Sequence, residues 1–316
     1  MNSNSDGFLL VANKADETLS IIDPEAGREV AAVPVGGTTS HEVAASPDGR
    51  FAWVPIYGDS GVGMPGSDGQ IVNVIDLASK KVIDSVDLGN PTRPHCAVFG
   101  PTDGRLYVTA ELTNTVEIID PLERKVVDSL PTGEPESHML VISSDGKRAY
   151  TSNVGPGTVS ALDIPGKNVI ALIPISKMAQ RIAISMDDKW VFTSDQIDPN
   201  IAVIDTATNT VQTRVPLKDF SYGMAPTRDG RHLLAAMPSA GAVSVVDLQT
   251  MKVNLMIDVP PEPQEVLVRP DNQVAYVSCD LSRQVAAIDL SDWKVKKIID
   301  AGGEADGLSW ASGKSQ

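Results

Sequence analysis

Cysteine is nearly absent: Cys96 and Cys279 are the only two, and no CxxC occurs. Neither a disulfide framework nor a cysteine-built zinc site can be made from them. Aromatic residues are also few, at 4%, so the core has to come mainly from Val, Ile, Leu and Ala. No apolar run approaches the ~18–20 residues of a membrane-crossing helix, and no membrane association is expected. The opening stretch, Met1–Gly7, has neither the basic region nor the apolar segment of a secretory leader. The default expectation is a cytoplasmic protein, the alternative a secreted or periplasmic one whose leader has been removed. Basic charge is short as well: 26 Lys and Arg stand against 41 Asp and Glu, for a net charge of −15. Such a surface repels phosphate backbones, which excludes a nucleic-acid partner. There is no GxSxG, HExxH, P-loop or Asp-rich calcium loop.

What the chain does have is a repeat. A hydrophobic strand ending in Asp recurs at Asp23, Asp76, Asp120, Asp163, Asp205, Asp247 and Asp289, at intervals of 53, 44, 43, 42, 42 and 42 residues. Turn sequences such as Ser46-Pro-Asp-Gly49, Pro101-Thr-Asp-Gly104 and Arg228-Asp-Gly230 precede each strand pair. Each unit reads as four short strands, lettered A to D; in the third they fall at 97–99, 105–110, 115–120 and 125–130. No 3.6-residue periodicity appears, which excludes βαβ units. A unit of ~40–45 residues with four strands is a propeller blade. The expected fold is all-β, a seven-bladed β-propeller with four antiparallel strands per blade, in a single domain over 1–316.

The first unit begins at strand B, Phe8–Asn13, and lacks strand A. The sequence Asp306-Gly-Leu-Ser-Trp-Ala311 supplies it from the other terminus. One blade is therefore shared between the chain ends, which closes the ring and removes an exposed sheet edge. With Leu106-Tyr-Val-Thr109, Asn114–Asp120, Ala149-Tyr-Thr-Ser-Asn153 and Ala275-Tyr-Val-Ser278, the chain resembles the YVTN-repeat β-propellers, a family that includes surface-layer-protein-like and quinoprotein-dehydrogenase-like members. That resemblance implies the fold; the functions within it range over scaffolds, lactonase-like enzymes and haem-binding domains.

The A–B and C–D turns share one face, and the longer D–A and B–C connections share the other, where sites are expected. The second B–C loop, Tyr57–Gln70, is long and Gly-rich and is expected to act as a lid. Its Gly61, Gly63 and Gly66 spell GxGxxG, but no helix follows and Pro65 interrupts it, so a dinucleotide site is not expected. Of four histidines, His41, His95 and His138 share one repeat column, each 12 residues before the strand-B aromatic of its blade (Trp53, Tyr107, Tyr150). The column continues as Gln180, Tyr222, Gln264 and Asp306.

Three imidazoles on neighbouring blades suit a transition metal ion (Zn, Cu, Ni, Fe or Mn), with an open position for catalysis. His41, His95, His138 and Gln180 are the expected ligands. Glu111 or Glu42 would be the acid/base, Arg93 would handle an oxyanion or a proton, and Tyr222 lies in the same ring. The expected function is thus a metal-dependent lyase, hydrolase or oxygenase acting on a small molecule at the channel mouth. The alternative is a non-catalytic propeller that binds a ligand or a protein there, the column residues serving as loop caps. Carboxylates and amides at the end of strand B (Asn13, Glu111, Asn153, Asp195, Asp280) form a second column. Strand alternation places Cys96 in the core, pointing away from the channel, and His232 at the far end of strand B in a structural role.

Overall fold

A computed structural model describes residues 6–313. Among them, 28 strands form seven four-stranded antiparallel sheets, and the only helical element is a 3₁₀ turn at Pro238–Ala240. Blade 1 combines Ala305–Ser312 as strand A with Gly7–Asn13, Thr18–Asp23 and Arg28–Pro34. The closure register is Phe8 opposite Ala311, Leu9 opposite Trp310 and Val11 opposite Leu308. The expected completion of that A–B turn by Ser5 and by residues 314–316 falls outside the described residues. Blades 2 to 7 follow in chain order, each running from an inner strand A to an outer strand D.

The repeated residues each have a local job. Asp23, Asp76, Asp120, Asp205, Asp247 and Asp289 accept backbone N–H bonds from the C–D turn that follows them. In the A–B turns the hydroxyls of Ser46, Ser143, Ser185 and Thr227 donate to an aspartate two residues on, the side-chain capping that favours turns over strand. Between blades, the few aromatics go where large apolar volume is needed: Trp53, Tyr107, Tyr150, Phe192 and Tyr276, all from strand B, are 1–2% exposed.

Several strand bounds differ by one residue from the expectation, and the larger differences lie in strand A. Strand A of blade 3 begins at Pro94 rather than 97, and strand A of blade 2 is only Ala44–Ala45, leaving His41 in the D–A loop.

Deleting Asp306–Gln316 removes the inner strand of blade 1 and bares a sheet edge on the channel, and such edges template aggregation. The truncated protein is expected to be insoluble or to melt far below the full chain in a circular dichroism melt. Equal melting of the two would show that the shared blade does not hold the ring.

Candidate functional site: the channel mouth

The column of the repeat becomes a ring around one mouth of the channel because of a feature at the start of strand A. In blades 1, 3, 5 and 7 the A–B register shifts, so that two A residues face one B residue: 306–307, 95–96, 180–181 and 264–265. These are β-bulges. Two positions before the column residue, Thr39, Arg93, Glu136, Glu262 and Glu304 adopt left-handed backbone conformations with φ of 52–56°, which turns the D–A loop into the channel. Groups freed by the bulge are met by strand-B hydroxyls, as in Cys96 N–H to Thr109 Oγ1 (2.9 Å) and Glu265 N–H to Ser278 Oγ (3.0 Å).

The ring assembles as the repeat implies. His41 Nδ1 lies 3.2 Å from Asp306 Oδ2. The His41 ring stacks on His95 at 4.9 Å between centroids, and His95 lies against His138 at 3.6 Å. His138 Nε2 is 3.4 Å from the Gln180 amide, which donates to Tyr222 Oη at 3.1 Å. His95 and His138 are 1% and 3% exposed. Burial, the neighbouring imidazoles and Arg181 push both well below the ordinary histidine range, so both are neutral. Both ring nitrogens of His95, Nδ1 of His138 and Oε1 of Gln180 are buried without a hydrogen-bond partner. The donor types suit a transition metal. The rings instead lie face against face, with the planes of His41 and His95 30° apart and those of His95 and His138 34° apart. Among the described residues, no group of three or more His, Cys, Asp or Glu is arranged to hold a metal ion.

Glu111 and Arg93 are placed together, on the loop rather than on the histidines. Glu111 accepts from Tyr57 Oη, from the backbone N–H of Gly63 (3.0 Å) and from Arg93 Nη1 (3.2 Å). Arg93 also binds Asp68 (2.6 Å) and the Met64 carbonyl (2.7 Å). The loop between Phe51–Gly58 and Asp68–Asp76 is thereby fastened over blade 3, and Gly63 abuts Glu136 of blade 4. It lies beside His95 through Tyr57, whose ring meets His41 and His95 edge-on. The opening is on the other side, where His41, Lys14, Glu265 and Asp280 have side chains 23%, 16%, 13% and 12% exposed.

Sequence reasoning named Glu42, Asp280 and Asp306 but missed Arg181, Glu265 and Lys14, and with them the charged tier they form beside the ring. Arg181 crosses the channel from blade 5 to Glu42 Oε1 (2.5 Å), Glu265 Oε2 (2.9 Å) and Asp306 Oδ1 (3.1 Å), with its guanidinium 4.4 Å from the Tyr222 ring centroid. Lys14 binds Asp280 (3.3 Å) and Asp306 (3.4 Å). Glu42, Arg181 and Glu265 follow the column one position on, where simple alternation points a side chain away from the channel; the bulges at Arg181 and Glu265 defeat that rule, and Glu42 lies in the D–A loop before its strand. The signal was present as a second column at the same period, Glu42, Arg181 and Glu265, of opposite charges. Two further members of that column are glycines, and the space is needed: a Cβ on Gly307 would meet Glu42 Oε2 at 2.6 Å, and one on Gly223 would meet Glu265 Oε1 at 2.7 Å. Cys96, also in this column, is buried against blade 4, 3.8 Å from the Leu140 carbonyl. In the strand-B column, Asn13 and Asn153 bond neighbouring hydroxyls and Asp195 caps the Ile197 N–H, while Asp280 alone joins the charged tier. His232 packs on Trp293 at the far end of strand B.

Residues 34–225, more than half the chain, match the model of the family described as Lactonase, 7-bladed beta-propeller, and the protein belongs to that family. Two solved structures share the architecture. Hydrazine synthase from Kuenenia stuttgartiensis is 20% identical, with a TM-score of 0.74 over 91% of this chain and 93% of that one. The dihydro-heme d1 dehydrogenase NirN, solved in complex with DHE, is 15% identical, with a TM-score of 0.70 over 98% of this chain and 76% of that one. At these identities the likeness is one of fold. No curated protein sequence matches the chain. The comparisons reach the lactonase propeller family and do not extend to the narrower YVTN-repeat likeness.

The charged tier makes stability depend on pH. Burial raises Glu42 to about 8 and Glu265 to about 7 despite the pull of Arg181. Burial alone would also raise Asp306, but Lys14, Arg181 and the His41 hydrogen bond hold it well below the usual carboxylate range. An unfolded glutamate titrates near 4.5, so between about pH 4.5 and 8 the folded chain binds the extra proton and stability falls as pH rises. Asp306 acts oppositely, its contribution being lost on acidification below the usual carboxylate range. The melting temperature is expected to decline from about pH 5 to 8, and Glu265→Gln to flatten that decline; a melt series level over that range in the unsubstituted protein would refute the raised glutamates.

Proposed function

We propose that the channel mouth is a hydrolytic site that opens a cyclic ester, with His41 as general base. The observation that carries this is the His41–Asp306 pair. Asp306, kept ionised by Lys14 and Arg181, accepts from Nδ1–H of His41 and so leaves the Nε2 lone pair for the open side of the mouth. Water gives its proton to Nε2 as its oxygen bonds to the lactone carbonyl carbon. The carbonyl oxygen takes up negative charge, for which the unpartnered N–H of a neutral imidazole at His95 or His138 is a suited donor. Collapse breaks the ring C–O bond, and the imidazolium returns its proton to the departing alkoxide. The product is the open hydroxy acid. Arg93 and Glu111 act as the clasp of the loop that keeps bulk water from His95 and His138, and Tyr222 orients Gln180.

Release of acid from unsubstituted γ- and δ-lactones, followed by pH-stat, tests this reading. His41→Ala is expected to lower kcat on the order of 10²- to 10⁴-fold, the usual worth of a general base, with the melting temperature little changed. Asp306→Asn should lower it too, together with stability. Turnover unaffected by His41→Ala overturns the assignment.

The unpartnered nitrogens of His95 and His138 favour one second reading, a metal bound by His41, His95, His138 and Gln180 after the stacked rings turn. Protein purified without chelator or affinity tag would then carry close to one equivalent of a transition metal. His41→Ala, His95→Ala and His138→Ala would each remove it, and His232→Ala would not. Their stability losses would be non-additive, because the first already forfeits the bound metal. Additive losses insensitive to added metal, each about 1 kcal/mol, are the mark of loop caps instead.

A further inference from the structure

We propose that the mouth takes a lactone bearing a positively charged group and discriminates against anionic ones; this rests on the hydrolytic reading above. Every cation inside the mouth is already held. Arg181 is shared by Glu42, Glu265 and Asp306, Lys14 by Asp280 and Asp306, and Arg93 by Asp68 and Glu111. A phosphate or carboxylate on the substrate therefore meets no free guanidinium or ammonium there, the exposed Lys177 and Lys218 lying on the rim loops, and taking an inner one from its partners would strand a buried carboxylate.

The carboxylates, in contrast, are in surplus. Glu42, Glu265, Asp280 and Asp306, four carboxylates, face only two cations, Lys14 and Arg181, so above neutral pH, with Glu265 ionised, the tier is net negative. Glu265 and Asp280, both from blade 7, are the partly exposed ones, on the open side that also holds His41. Beyond Arg181, the other recorded partner of Glu265 is the Val266 N–H, at 3.0 Å. The D–A loops framing the mouth extend the same sign, with Glu134, Glu136, Asp219, Glu262 and Glu304 against Lys177 and Lys218. That a ligand belongs here is indicated separately by His95 and Gln180, both more than nine-tenths buried and both with unmatched polar atoms in the ring. An ammonium seated by Glu265 and Asp280 would bring the lactone carbonyl to the His41 side of the opening.

The test compares γ-butyrolactone with its aminomethyl and carboxylate derivatives, which share a ring and differ in charge. In the unsubstituted protein, kcat/KM is expected to rise about tenfold from the neutral to the ammonium compound and to fall about tenfold for the carboxylate, modest against a partly exposed charge pair. Glu265→Gln, and independently the more peripheral Asp280→Asn, should draw the ammonium-to-neutral ratio toward one. Equal or better turnover of the carboxylate overturns the proposal, as does a ratio untouched by both substitutions. If neutral lactone is opened in a His41-dependent way without charge preference, the hydrolytic reading stands and this inference falls. If no lactone is turned over, the hydrolytic reading falls, and calorimetric binding of the same three compounds decides: tighter ammonium binding supports the charge preference and tighter carboxylate binding refutes it.

Discussion

A single guanidinium ties together residues that the chain supplies from four different blades. Arg181 leaves blade 5, crosses the channel and meets carboxylates from blades 2, 7 and 1. Burying an ion pair costs more in lost hydration than it returns in attraction unless the remaining hydrogen-bonding capacity is met. Here three carboxylates converge on one side chain, Lys14 supports one of them, and Tyr222 covers the guanidinium face. The bulges that let consecutive residues turn inward, and the two glycines that clear room for Glu42 and Glu265, are all required for this one convergence. Burial keeps the imidazoles His95 and His138 neutral, and Arg181 adds to it, because a buried cation nearby disfavours a second positive charge.

The mouth is asymmetric although the ring that carries it is nearly regular. Blade 2 stands out by its long B–C loop, and that loop is fastened down by Arg93 and Glu111 of the next blade. The result is a buried half, with His95 and His138, and an open half, with His41, Lys14, Glu265 and Asp280. A propeller gains a direction of approach in this way without any change to its scaffold, since variation is confined to one connection.

The fold was legible because propellers repeat their chemistry. The strand-C aspartates and the A–B turn motifs each report a local hydrogen bond that recurs in blade after blade, and the period alone aligned His41, His95, His138, Gln180 and Tyr222 into one ring. The second tier was less legible for a physical reason. Alternation assigns Arg181 and Glu265 to the wrong side, and the bulges that reverse it fall at Gln180–Arg181 and Gln264–Glu265, where no glycine or proline gives warning of them. Arg93 and Glu111 were recognised as functional candidates from their position, yet their hydrogen bonds hold a loop, and only the path of that loop reveals it. Asp306 was found at the right place in the ring, but its pairing with His41 spans 265 residues of sequence and depends on the ring being closed.

That last contact carries a temporal consequence. Asp306 belongs to the strand that completes blade 1, and among the described residues this strand is the last in chain order. Until it docks against Gly7–Asn13, Arg181 lacks one of its three carboxylates and His41 lacks the group that fixes its tautomer. The His41–Asp306 pair and the finished ring therefore come into being in the same event, so under the proposed hydrolytic role a chain lacking this strand has no working mouth.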